Sequence, residues 1–168
     1  TIYEKRGKLG GLKLVYIGDG NNVCHSLLFG GALAGMHVVA VTPMGYEPQR
    51  SVVDKARQLA GATGAVITLA SDPHVAVRQA DVVYTDVWAS MGQEAESELR
   101  ARVFAPYQVN AALMAAARSD TLVMHCLPAH RGQEITDEVI DGPQSVVFDQ
   151  AENRLHAQKA VLALLMGG

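Results

Sequence analysis

The sequence of 168 residues contains only two cysteines, Cys24 and Cys126. That is too few for a disulfide framework, and they lack the paired CxxC spacing of a metal site. No apolar run reaches the ~20 residues that span a bilayer, and the opening Thr1–Arg6 stretch is polar and charged, unlike the apolar core of a signal peptide. Net charge is −3 with no basic block, which argues against a nucleic-acid surface. Internal repeats and low-complexity tracts are missing as well. The expectation left standing is one domain in a reducing, cytoplasmic compartment, with no membrane and no nucleic-acid partner. What is present is apolar: 49% of residues are hydrophobic and 18% charged, which suits a single core of ordinary domain size.

Methionine is also missing from position 1. TIYEKRG instead reads as the last turns of a helix, with Lys5 and Arg6 suited to a helix C-terminus and Gly7 to the left-handed residue beyond it. The expectation is a piece of a longer protein.

Short apolar runs then alternate with helical segments. Leu12–Ile17, His37–Val41, Ala65–Leu69, Asp81–Thr85 and Thr121–His125 read as strands. Asn21–Ala34 (with Asn22 as a plausible cap), Ser51–Ala60, a segment opened by Asp72-Pro73, Gln108–Ala117 and Glu152–Met166 read as helices. Unbroken apolar strands between helices predict an α/β fold: an open parallel sheet of about five strands with helices on both faces, a Rossmann-like three-layer sandwich. Ligands of such sheets bind beyond the carboxyl ends of the strands, where the unusual residues of this chain collect.

Three motifs stand there. GDGNNV after the first strand is a partial dinucleotide turn, but Val23 occupies the third glycine position, and the second strand ends in Thr42-Pro43 without the acid that would hold a ribose. Its alternatives are a tight turn with Asn22 capping, or Asn21 or Asn22 amides binding a carboxylate at the helix N-terminus. TDVWASMGQE places Asp86 at a strand end, either as a cap or as the partner of an ammonium group. Trp88 and Met91 in the following loop point to a segment that closes over a ligand. HCLPAHRG is the most telling. Cys24 reads as a buried helix residue, whereas Cys126 ends a strand beside His125, His130 and Arg131, neighbours that favour a thiolate. His125 and Cys126 face opposite ways on the strand, which disfavours a Cys/His hydrolase pair. A thiol that contacts a substrate or takes its proton fits better, and no third ligand stands at metal spacing. The last helix carries Arg154 and is apolar around much of its surface, so it calls for burial on more than one side.

GDGNNVCHSLL, TPMGYEP, DVWASMGQE, HCLPAHRG and AENR together resemble the ornithine carbamoyltransferases, in order and over essentially the whole chain. The resemblance implies transfer of the carbamoyl group of carbamoyl phosphate to the side-chain amine of L-ornithine, giving L-citrulline and phosphate, within arginine or urea-cycle metabolism. It implies that Asn22 binds the ornithine carboxylate with the Met91 backbone, and that Asp86 and Ser90 hold the α-ammonium. Cys126 would face the attacking amine as proton acceptor. The Cys126 and Leu127 carbonyls and Arg154 would position the carbamoyl group, and neither metal nor cofactor takes part. The family's Ser-x-Arg-Thr-Arg and His-Pro-x-Gln segments, which bind carbamoyl phosphate, do not occur in this sequence. On this resemblance residues 1–168 are a single ornithine-binding domain, inactive alone. Residues 1–10 are then the tail of an interdomain helix, and residues 151–168 a terminal helix that packs on the other domain, within a homotrimer. The alternatives are a stand-alone amino-acid-binding module, or a carbamoyltransferase for a related amine.

Overall fold

A computed structural model of the chain describes residues 1–89 and 96–167. Strands β1 (Lys13–Ile17), β2 (His37–Val41), β3 (Ile67–Ala70), β4 (Val82–Thr85) and β5 (Leu122–His125) form one all-parallel sheet in the order β3-β2-β1-β4-β5. Around it run α1 (Ile2–Arg6), α2 (Asn22–Leu33), α3 (Arg50–Ala60), α4 (Pro73–Ala76), α5 (Ser97–Phe104), α6 (Ala111–Met114), α7 (Asp137–Ile140) and α8 (Val147–Met166).

The strands are apolar throughout because both faces of the sheet are covered. Leu14 and Tyr16 of β1 enter one core layer with Leu28, Val53 and Tyr84; Val15 and Ile17 enter the other with Val77, Leu113 and Ile140. The open parallel sandwich expected from the alternating pattern is the observed fold. Gly7 ends α1 in the left-handed conformation at φ 72°, and Asp72 caps α4 by accepting the Val75 N–H at 3.1 Å, with Pro73 in the first turn.

Several boundaries differ from expectation. The third strand lies two residues later at its start, on the sheet edge where only one neighbour fixes its register. The helix expected over 108–117 contracts to α6, because Val109 is drawn into a bridge with Ile135 and Asn110 takes the cap position. The last helix starts at Val147, five residues early, where Val147 drops into the second core layer. Two helices were not anticipated. α5 escapes a periodicity search because its inward face carries Arg100 beside Phe104, so its buried stripe is half charged. α7 is a single turn.

Candidate active site

The chain lays β2 and β3 on one side of β1, then crosses back to add β4 and β5 on the other. That reversal opens a crevice beyond the carboxyl ends of β1 and β4. A cleft of about 670 Å³ lies there, lined by Asn22, Val23, Asp86, Val87, Ala89, Ser97, Leu127, Pro128, His130 and Gln133.

The turn after β1 is built on Asn21, which corrects the expectation that Asn22 caps the helix. Asn21 Oδ1 accepts the N–H groups of Val23 at 3.0 Å and Cys24 at 3.1 Å, satisfying two of the free donors of α2. Its amide nitrogen donates to Asp86 Oδ2 at 2.8 Å. Asn22, one residue on, remains exposed at the cleft. Gly20 has no room for a side chain, since a Cβ would lie 2.2 Å from the Pro48 nitrogen. The 46–48 segment therefore covers the turn that a dinucleotide pyrophosphate would need to approach.

Asp86, at the end of β4, is buried and draws the site together. Besides Asn21, it accepts the Val87 N–H at 2.8 Å and the Cys126 thiol at 3.0 Å, both on Oδ1. Burial and then the adjacent Asp86 carboxyl push the Cys126 thiol up to about 12. The expectation of a thiolate is overturned, and the reason lies in the directions of the neighbouring side chains. His125 is fully buried on the far side against Glu134, and Arg131 is engaged by Asp137 and Asp141 at 2.7 and 2.5 Å. Cys126 thus faces a carboxyl in place of a cation. Cys24 is fully buried in α2, as expected, with its thiol also pushed up to about 12 by burial.

The structure brings Asn22, Asp86 and Leu127 onto one cleft, with Cys126 joined to it through Asp86. Ser90 and Met91 lie outside the described residues. Arg154 is exposed on α8 and does not line the cleft. It stands one helical turn beyond Gln150, whose side chain accepts the His125 N–H at 3.1 Å and donates to the Tyr84 hydroxyl at 2.9 Å. Trp88 is 5% exposed and stacks on Phe104 at 5.9 Å, so it belongs to the packed interior and not to a surface that meets ligand.

Sequence reasoning missed Arg100. Its guanidinium, buried in α5, donates to Asp19 Oδ2 and to the Trp88 carbonyl, both at 2.9 Å, and lies 5.0 Å over the Tyr46 ring. It fastens the β1–α2 turn to the segment after β4. Burial lifts the Asp19 carboxyl above its ordinary range despite Arg100. At Arg100 burial pulls downward and is outweighed by Asp19 and Glu96, leaving the guanidinium above its usual value. The two partners thus shift in conflicting senses for an ion pair; a guanidinium flanked by two carboxyls and a carbonyl stays charged, and Asp19 is its counter-ion. The i, i+4 spacing of Glu96 and Arg100 was the available sequence signal.

Among the described residues no three His, Cys, Asp or Glu side chains are grouped to hold a metal ion, and no helix is long and apolar enough to cross a membrane.

Fold and cleft define an open α/β domain with a cleft at its switch point. The family described as aspartate/ornithine carbamoyltransferase, Asp/Orn binding domain, matches residues 10–165. The chain is 61% identical over 168 residues to the ornithine carbamoyltransferase of Pyrococcus horikoshii, covering 100% of this chain and 53% of that protein. It is also 61% identical over 168 residues to the anabolic ornithine carbamoyltransferase of Pyrococcus furiosus, with the same coverage. The solved structure of the ornithine carbamoyltransferase from Pyrococcus furiosus superposes with a TM-score of 0.95 at 60% identity, covering 99% of this chain and 53% of that one. The chain belongs to the aspartate/ornithine carbamoyltransferase family and corresponds to its Asp/Orn binding domain. It spans about half the length of the curated relatives it matches.

Proposed function

We propose that this chain is the ornithine-binding half of an ornithine carbamoyltransferase, which moves the carbamoyl group of carbamoyl phosphate onto the side-chain amine of L-ornithine. The observation that carries this reading is a single carboxyl, Asp86, touching both the Asn21 amide and the Cys126 sulfur beside the cleft that Asn22 lines. Asn22, left free because Asn21 does the capping, takes the ornithine carboxylate together with the Met91 backbone. Asp86 and Ser90 take the α-ammonium. Cys126 faces the reacting amine, and the Cys126 and Leu127 carbonyls, with Arg154, orient the carbamoyl group.

The amine attacks the carbamoyl carbon as a neutral nitrogen. The C–N bond forms, the C–O bond to phosphate breaks, and phosphate leaves with that electron pair and takes the proton the nitrogen sheds on bond formation. A free alkylammonium has a pKa of roughly 10, so the site must draw a proton away. The Cys126 thiol already holds one, so it accepts the amine's proton only as its own passes to Asp86 at 3.0 Å. Sulfur and carboxyl then act as a relay. The balance needs no oxidant or reductant, so no cofactor enters the reading.

Phosphoryl groups are clamped by several charged donors. Arg131 is occupied by two aspartates, which leaves mainly Arg154 near the strand ends. Carbamoyl phosphate therefore depends on a second half carrying the Ser-x-Arg-Thr-Arg and His-Pro-x-Gln segments. We place α1 and the apolar surface of α8 against that half, in a cytoplasmic homotrimer working in the biosynthetic direction of its anabolic relative.

Two measurements test the reading. The isolated 168-residue chain should bind ornithine in calorimetry yet make almost no citrulline; enzyme-like turnover by this chain alone would refute the half-enzyme. In the full-length protein Cys126→Ala should lower kcat by about 10²-fold or more while ornithine affinity moves only a few-fold. An unchanged kcat would remove the sulfur from the chemistry.

A further inference from the structure

Behind the Leu127–Pro128 wall of the cleft lies a polar pair that the sulfur–carboxyl relay does not use. The His125 ring, turned away from Cys126 at the end of β5, is fully buried. Its Nδ1 accepts the Leu127 N–H at 2.8 Å, so that nitrogen is bare and Nε2 carries the ring proton. Nε2 meets Glu134 Oε1 at 3.2 Å. Glu134 is fully buried as well; the same oxygen accepts the His130 N–H at 2.6 Å, and its carbonyl accepts the Val109 N–H at 2.8 Å. Glu134 Oε2 has no hydrogen-bond partner among the described residues and lies 4.0 Å from His130 Nδ1.

Burying a carboxyl with one unpartnered oxygen beside an imidazole is costly, and apolar side chains would fill the space without that penalty. Packing alone does not account for the pair. Its effect falls on Leu127, which has φ 55°, a left-handed conformation that a leucine rarely adopts and that its surroundings must hold in place. Among the described residues, the Leu127 N–H donates one hydrogen bond, to His125.

We propose that His125 and Glu134 are positioning residues for carbamoyl transfer: Glu134 holds the imidazole in one tautomer, and the imidazole clamps the Leu127 N–H so that the Leu127 backbone keeps the conformation that lines the cleft. This rests on the ornithine carbamoyltransferase reading, because the Leu127 carbonyl is there assigned to orient the carbamoyl group.

Two isosteric substitutions in the full-length enzyme separate clamp from filler. His125→Asn keeps an acceptor where Nδ1 stood but loses Glu134; His125→Gln keeps a donor toward Glu134 but loses the acceptor for Leu127. With both variants folded, kcat should stay within about threefold of the parent for His125→Asn and fall roughly 10²-fold for His125→Gln, as expected when a positioning group is lost. Ornithine affinity should hold within a few-fold in both. Hydrogen exchange at the Leu127 amide should accelerate in His125→Gln and stay slow in His125→Asn. Nitrogen-15 spectra of the parent should show His125 as the Nε2–H tautomer, and Glu134→Met should let the tautomers mix. Equal kcat losses in the Asn and Gln variants, unaltered Leu127 exchange, or an Nδ1–H ring in the parent would overturn the proposal; an unmixed ring in Glu134→Met would overturn the part given to Glu134. Should the parent make no citrulline, the functional reading fails by itself, while the exchange and tautomer measurements still decide the clamp.

Discussion

The thiol of Cys126 donates to a carboxyl at 3.0 Å, and its chemistry follows from that contact. With its pKa pushed from an ordinary 9.0 up to about 12, it carries far less thiolate at pH 8 than a free cysteine. In a Cys24→Ala background, iodoacetamide should therefore label Cys126 on the order of 10²–10³ more slowly than a small thiol, and Asp86→Asn should speed it; fast labelling of the parent would contradict the half-buried, carboxyl-facing sulfur. Both thiols also link stability to pH. Their folded pKa values lie above the unfolded ones, so the folded chain retains protons that the unfolded chain releases. Their contribution is whole below about pH 9 and drains away as pH rises toward 12. The thermal midpoint should drop over that range, and Cys24→Ala with Cys126→Ala should flatten the drop. At this scale the residue types in HCLPAHRG located the site. The protonation of the sulfur was not legible, because it depends on which way His125 and Arg131 turn, and they turn to Glu134 and to Asp137 and Asp141.

Among the elements, α5 and the β1–α2 turn are tied by one buried ion pair, Arg100 to Asp19. Removing one member of such a pair leaves a charge in the interior without its partner, at a cost of about 3 kcal/mol. Arg100→Met should lower the denaturation midpoint accordingly, and adding Asp19→Asn should recover part of the loss. Ornithine affinity should weaken as well, because Asp19 belongs to the turn that carries Asn21 and Asn22; a variant with parent stability and affinity would show that the turn holds itself. The strands and α2, α3 and α8 could be read from apolar periodicity. α5 could not, since half of its inward stripe is an arginine whose partner lies 81 residues away. Nor could the choice between Asn21 and Asn22 as cap, which the path of the turn under Pro48 decides.

Across the whole molecule α8 stands apart. Val147 is its one buried residue, while Leu164 and Leu165 are 83% and 80% exposed. A soluble surface seldom carries so much apolar area uncovered. The isolated chain should therefore associate with itself in sedimentation as concentration rises. Leu162→Lys with Leu165→Lys should keep it monomeric without altering ornithine affinity; association that survives the double change would move the sticky surface elsewhere.

The order of apolar runs and turns determined an open parallel sheet, and with it the gathering of Asn22, Asp86 and Cys126 at one margin, because strand polarity in such a sheet puts every following loop on the same side. Tertiary structure decided how the gathered groups act on one another. Whether Cys126 meets a cation or a carboxyl, whether Trp88 faces ligand or Phe104, and what His125 holds are set by distances between residues remote in sequence, and no local pattern encodes them.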